Sequence, residues 1–243
     1  RVMGLVGGGA FADFVVVHED EALPIPQDFS FEKAAAIPEV FITAYDALFR
    51  QAHLQKEETV LIHAVASGVG TAAVQLARAF GCTSVGTSRS KEKLDKVQEL
   101  GLDLPIHVTE GRFAKACKEF RPEGIPVILD MIGADYLEEN LKVLATRGRL
   151  VIIGLLGGAQ ATLSLGRLLG KRQSILGTVL RSRPVKEKIE VTRDFAQNVL
   201  PLLEAETLLP VIDEVIPAQQ VVAGFQRMEA NQTTGKIVMT WPN

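Results

Sequence analysis

The stretch TVLIHAVASGVGTAA, residues 59–73, decides the fold. Its first six residues form a nearly continuous apolar run, as a strand buried on both faces requires. Small residues follow, and a helical pattern then runs over 69–80. A strand, a small-residue turn and a helix in that order let main-chain amides come close to a pyrophosphate. The unpaired N–H groups and the dipole at the helix start favour the anion. Gly68, Gly70 and Ala73 satisfy the spacing G-x-G-x-x-G/A, and the strand–turn–helix context is what gives that spacing meaning. The competing reading is a tight turn that binds nothing.

The same rhythm continues on the C-terminal side. Strands are expected at 84–87, 105–108, 126–130 (PVILD), 149–154 (RLVIIG) and 174–179, with helices at 91–100, 113–120 and 136–145. Strands alternating with helices imply right-handed βαβ units and a parallel sheet. Six such strands make a doubly wound α/β Rossmann sheet. On the N-terminal side, FADFVVVH (11–18) reads as a strand. Leu23-Pro24-Ile25-Pro26 is an extended break. A helical pattern opens at Ser30 and runs to about His53, divided or kinked at Pro38. The tail reads as a helix over 187–203, an extended stretch over 209–217, a helix over 218–231 and a closing strand KIVMT over 236–240.

Composition narrows the function. The chain has 243 residues, 47% hydrophobic and 23% charged, with a formal net charge of −3 from 26 basic and 29 acidic side chains. These are globular values, enough to bury a core. The charge balance argues against nucleic-acid and membrane-surface partners, which favour excess positive charge. No run of about 18 apolar residues is present to span a membrane. Two cysteines, Cys82 and Cys117, make no disulfide scaffold, so a reducing, cytoplasmic setting is expected. The chain opens at Arg1 and reads straight into apolar sequence, as if it began in the middle of a domain.

The end of the second strand selects the ligand. A site for NAD places an Asp or Glu roughly 20 residues on, to hold the ribose 2′-hydroxyl. Here that position is Ser88, in Gly86-Thr87-Ser88-Arg89-Ser90-Lys91-Glu92-Lys93, with no acid at the strand end. Hydroxyls, a guanidinium and ammonium groups suit a 2′-phosphate, so NADPH is expected over NADH. Ser90 also reads as a helix N-cap, a role that can coexist with phosphate binding.

Residues 63–81 (HAVASGVGTAAVQLARAFG) closely resemble the cofactor turn of the quinone-oxidoreductase branch of the zinc-free medium-chain dehydrogenase/reductase superfamily. AAAIPEVFITAYDAL (34–48), VILDMIG (127–133), GRLVIIGLLGG (148–158), LRSR (180–183) and MEANQTTGKIVM (228–239) follow in the family's order. The match covers nearly the whole chain. It implies a remnant of a GroES-like catalytic β domain over 1–30, a Rossmann NADPH-binding domain over 31–205, and a segment returning to the catalytic domain over 206–243. The family's upstream catalytic part is missing from this chain.

The resemblance implies an NADPH-dependent oxidoreductase that passes a hydride to a quinone or similar activated alkene. In the family register A-x-x-G-x-x-G the turn is Ala64, Ser67 and Gly70, and Ser67, Gly68, Val69 and Gly70 line the pyrophosphate. Thr43 is placed near the nicotinamide, and Ser88, Arg89, Ser90 and Lys93 at the 2′-phosphate. Met131, Gly133, Gly154 and Leu155 follow two strand ends, and Asn231 contacts the cofactor from the closing segment. Val108 stands where many relatives carry a Tyr, with Arg89 as the compensating contact. No catalytic residue is assigned, because solvent can protonate the hydroquinone anion. No zinc is expected: the histidines (18, 53, 63 and 107) are scattered, and neither cysteine has a partner at ligand spacing. Two alternatives stand beside this reading, an enoyl-thioester reductase and a nucleotide-binding protein without turnover. A homodimer paired through the sixth strand is expected from the family.

Overall fold

The structure is a computed structural model that describes residues 1–241. Its strands are β1 (Val2–Gly4), β2 (Ala22–Pro24), β3 (Thr59–Ile62), β4 (Thr83–Ser88), β5 (Leu104–His107), β6 (Ile125–Asp130), β7 (Leu144–Ile152), β8 (Ser174–Gly177), β9 (Ile212–Pro217) and β10 (Lys236–Thr240). Its helices are α1 (Phe31–Ala35), α2 (Thr43–Tyr45), α3 (Gly68–Ala79), α4 (Lys91–Gln98), α5 (Ala114–Phe120), α6 (Ala134–Val143), α7 (Leu165–Lys171), α8 (Val185–Asn198), α9 (Leu200–Glu204) and α10 (Val221–Glu229). The chain divides into two compact units. One holds residues 45–66 and 73–178; the other holds 1–44, 67–72 and the chain from Val179 onward.

The first unit carries a six-stranded parallel sheet in the order β5-β4-β3-β6-β7-β8. This is the doubly wound order with its switch point between β3 and β6. The continuous apolar runs follow from burial on both faces. Leu61 sits beside Val85 on β4 and Ile128 on β6, and Ile128 sits beside Leu150 on β7. All four are fully buried, in a cluster with Ile106, Phe113, Cys117 and Val143. Their neighbours Val60, Ile62, Val127 and Leu129 are equally buried on the other face. One ion pair ties the amino side of the sheet to the chain before it. Arg149 donates to both oxygens of Glu58, at 2.9 and 2.7 Å, and its Nε donates to the Ala52 carbonyl at 2.8 Å.

The second unit carries two small sheets. β1 and β2 pair antiparallel with Met3 opposite Leu23, both buried. β9 and β10 pair in parallel with a register shift at Lys236/Ile237. Lys188 of α8 reaches the buried Glu21 carboxylate at 3.0 Å.

Several boundaries depart from the sequence expectations. Residues 11–18 form no strand: Phe14 and Val16 are almost wholly exposed, and no neighbouring strand supplies ladder bonds. α7 carries two glycines in seven residues, a composition that hides a helix. The 187–203 helix is two helices, broken at Val199 ahead of Pro201. The Pro38 break is present, and it opens a π-helical turn over Pro38–Ile42, followed by a second over Asp46–Gln51. β7 begins five residues earlier than expected, across an irregularity that includes Arg147 at φ 61°.

Candidate functional site

The carboxyl ends of β3, β4, β6 and β7 lie along one edge of the parallel sheet, and three of these ends carry one buried polar side chain each. His63 follows β3, Thr87 lies near the end of β4, and Asp130 ends β6; all three are buried. His63 Nδ1 meets the Thr87 hydroxyl at 2.8 Å and its Nε2 meets Asn140 Oδ1 at 2.7 Å. Asn140 Nδ2 donates to Asp130 Oδ2 at 2.9 Å. Asp130 Oδ1 accepts the amides of Ile132 and Gly133 at 2.6 and 3.1 Å. These bonds fix the tautomer. Asn140 donates to the carboxylate, so its oxygen must accept, and His63 carries its proton on Nε2. Unprotonated Nδ1 then accepts from Thr87. Burial pushes the His63 ring below the ordinary imidazole value, against the charge of Asp130 and the bond to Asn140. Phe113 and Tyr136 rings pack against it, each at 4.8 Å. The network therefore runs from Thr87 through buried His63 and Asn140 to Asp130, and Asp130 shapes the turn after β6.

The turn after β3 begins with strain. Ala64 adopts φ 44°, the left-handed region that a Cβ disfavours. Val65 N–H returns to the Thr87 carbonyl at 3.0 Å. Ser67 then caps α3: its hydroxyl accepts the Gly70 amide at 3.1 Å. The amides of Gly68 and Val69 fall in the first helical turn, before any intrahelical acceptor exists. Ser67 also bridges to Gly235. A Cβ on Gly68 would meet the Val40 side chain at 2.8 Å and that of Lys236 at 2.7 Å, so a larger residue there requires both to shift. In the same unit, Thr43 begins α2 between the two π-helical turns, and Asn231 follows α10 at φ 54°.

At the end of β4, the Ser88 hydroxyl accepts the Ser90 amide at 3.1 Å and the Ser90 hydroxyl accepts the Lys93 amide at 3.3 Å. The Ser90 N-cap is thus present. Each hydroxyl keeps its own O–H to donate outward. His107 Nε2 donates to the Arg89 carbonyl at 3.1 Å. Arg89 is exposed and makes no ion pair among the described residues, and the Glu92 carboxylate in the first turn of α4 is taken by Lys96 at 2.9 Å. Val108 is buried in the core cluster.

The loops after β6 and β7 are stitched together. Leu156 N–H reaches the Met131 carbonyl, Gly157 N–H reaches that of Ile132, and the amides of Ala134 and Asp135 return to Gly158 and Gly157. A Cβ on Gly133 would lie 2.8 Å from the Gly158 carbonyl oxygen, and one on Gly154 would lie 2.9 Å from that of Met131. Met131 is buried, while Leu155 is 55% exposed. The structure thus gathers Ser88, Arg89, Ser90 and Lys93 on one strand end, and Met131, Gly133, Gly154 and Leu155 on one stitched pair of loops.

From the sequence Asp130 reads only as the last residue of the PVILD strand, and His63 only as one of four scattered histidines. The available signal was one polar residue closing each of three adjacent apolar strands.

A parallel sheet in this order is the doubly wound architecture of nucleotide-binding domains. The chain belongs to the zinc-binding dehydrogenase family, whose description matches residues 68–204. It is 32% identical to the quinone oxidoreductase-like protein 2 homolog of Nematostella vectensis, over 98% of this chain and 66% of that protein. Among solved structures, the quinone oxidoreductase of Pseudomonas syringae pv. Tomato superposes with a TM-score of 0.85 at 27% identity, covering 95% of this chain and 71% of that one. The JamJ enoyl reductase superposes at 0.87 and 26% identity, covering 99% and 72%. The chain spans 9% of the length of the squalestatin tetraketide synthase of Phoma sp. and 69% of that of the quinone oxidoreductase of Pongo abelii, two of the relatives it matches.

The family description names zinc. Among the described residues no three His, Cys, Asp or Glu side chains come together to hold a metal ion. Glu39 faces the cations of Lys236 and Arg181. The donors present do not fit a zinc site, and the function proposed below uses none. Among the described residues no helix is long and apolar enough to cross a membrane.

Proposed function

We propose that this chain forms the nucleotide-holding part of an NADPH-dependent reductase acting on a quinone or a similar activated alkene. The observation that carries the reading is the end of β4, where Arg89 has no ion pair among the described residues, the Ser88 and Ser90 hydroxyls accept backbone amides and keep their own protons, and the Glu92 carboxylate is paired with Lys96. That surface suits a 2′-phosphate and offers a 2′-hydroxyl no acidic partner. The first-turn amides of Gly68 and Val69 suit the diphosphate. When bound, NADPH would supply a hydride from nicotinamide C4 to an electrophilic carbon. The chain's own part is to orient and to exclude water. Asp130 and His63 hold the Met131–Gly133 turn in place, and the bonds to the Gly154–Gly158 loop hold that loop beside it. Thr43, Ser67, Gly70 and Asn231 remain the proposed further contacts. The proton on the reduced quinone comes from solvent, since no acid is assigned.

An enoyl-thioester reductase is the second reading, supported by the likeness to the JamJ enoyl reductase. A cytoplasmic setting is proposed from the two buried free cysteines. A homodimer is proposed through β8, which closes one edge of the sheet and is paired on one side only. Calorimetric titration of the chain with NADPH and NADH tests the central claim. NADPH is expected to bind at least about tenfold more tightly, one charge-assisted phosphate contact's worth. Equal or tighter binding of NADH removes the assignment. Rates with quinones and enoyl thioesters on the complete protein then separate the two substrates.

A further inference from the structure

The opposite edge of the sheet, at the amino ends of its strands, carries a second charged cleft of about 450 Å³. Lys118 of α5, Lys142 of α6, and Arg167 and Lys171 of α7 line it, with Glu123 and Gly124 on the loop before β6. The carboxylates around it are already committed. Glu123 pairs with Arg121 at 2.9 Å, and both Glu138 and Glu139 hold Lys142, at 2.8 and 2.9 Å. Lys118, Arg167 and Lys171 form no salt bridge among the described residues; Glu138, held by Lys142, also feels the Arg167 charge. Lys171 Nζ donates to the Leu144 carbonyl at 2.8 Å, which points its charge at a fixed place.

Helix geometry explains part of this cluster. α5, α6 and α7 each carry a lysine in the last turn, where the negative end of the helix dipole favours it. That account stops at Arg167. It stands in the first turn of α7, at the dipole's positive end, close enough to Lys171 to act on its charge and in salt-bridge contact with no carboxylate among the described residues, although Glu138 feels its charge. Burial first, and then the charges of Lys118 and Arg167, lower the Lys171 ammonium below its ordinary value. We propose that this cleft is a binding site for a multiply charged phosphate anion, separate from the nucleotide turn. All three cations line it, and so does Gly124, where a Cβ would meet the backbone of Ala145 at 2.8 Å. The phosphate oxygens would accept from Lys118 Nζ, the Arg167 guanidinium and the remaining protons of Lys171 Nζ.

Inorganic pyrophosphate, titrated at fixed ionic strength into the isotope-labelled chain, tests this by amide chemical shifts. Saturating shifts are expected at Lys118, Gly124, Arg167 and Lys171. They should be at least about tenfold weaker in the Lys118→Gln/Arg167→Gln double variant. Arg89→Gln/Lys93→Gln should leave them unchanged, which separates this cleft from the nucleotide site. Lys118 is exposed and Arg167 half-buried, and matching spectra without ligand certify that the variant is folded. Shifts confined to residues 67–70 and 88–93 would overturn the proposal. So would shifts no larger than those given by chloride at equal ionic strength, or an unchanged titration in the double variant.

Discussion

Lowering the pH tests the neutral histidine at the switch point. In the folded protein both ring nitrogens of His63 are engaged, the ring is fully buried, and burial holds its proton affinity below the ordinary value of 6.5. In the unfolded chain it titrates near that value. The sign follows from linkage. Below about pH 6.5 the unfolded state binds the extra proton and the folded state does not, so stability falls as pH falls. If the folded ring stays neutral to pH 5.5, going from pH 7.5 to 5.5 costs about 1.4 kcal/mol from this residue alone. Other groups titrate too, so the measurement is a difference. Urea unfolding of the chain and of His63→Gln is compared at pH 7.5 and 5.5. The wild type should lose about 1.4 kcal/mol more than the variant over that interval. Glutamine does not titrate, yet it can still donate to Asn140. A difference of less than about 0.5 kcal/mol would refute the reasoning, since His63 would then take up its proton in the fold. Ring nitrogen shifts showing protonation at both positions at pH 5.5 would say the same directly.

Arg89→Gln should weaken NADPH by about tenfold and leave NADH unchanged, measured by calorimetry; an equal loss for both would place Arg89 away from the 2′-phosphate. Ala64→Gly should stabilise the chain or leave it within about 0.5 kcal/mol, because it relieves the left-handed backbone, whereas Ala64→Val should cost about 2 kcal/mol by thermal unfolding. Arg149→Lys should cost about 2 kcal/mol, because an ammonium cannot match the two-oxygen grip on Glu58. Burial alone would raise the Glu58 carboxyl, but the Arg149 and Gln55 bonds outweigh it and hold the group below 4.5. The Arg149 contribution is therefore whole above that pH and fades as pH falls through the folded value, which acid titration of both proteins will show. Burial pushes the Cys82 thiol up to about 11 and the Cys117 thiol up to about 12, so neither should react with a thiol reagent at pH 8 until the chain is unfolded.

The buried sheet was legible because its strands are written almost without polar residues, and the glycine start of α3 followed from TVLIHA and the small residues after it. That the sheet is parallel follows from the alternation of strands with helices. Residues 11–18 misled because β-branched and aromatic composition reports a taste for pleated surfaces, and pairing needs a neighbour that composition does not name. The split between α8 and α9 was written in Pro201. α7 was not legible, because Gly166 and Gly170 erase its helical signature. At the candidate site, Ser90 could be read from its spacing to Lys93. The relay from Thr87 through His63 and Asn140 to Asp130 could not, since it joins residues 77 positions apart by contacts that only the folded sheet creates.

The stitched loops after β6 and β7 have a consequence for mutagenesis and for descent. Five backbone bonds, counting the Ile153 amide on the Asp130 carbonyl, make 130–135 and 153–158 one mechanical piece. Substitutions at Gly133 and Leu155, whose side chain stands 3.1 Å from a Gly133 Cβ, should therefore fail to add, and double-mutant cycles should return a coupling of about 1 kcal/mol. Across lineages the two segments should drift in concert, with a bulkier residue accepted on one only when the other retreats.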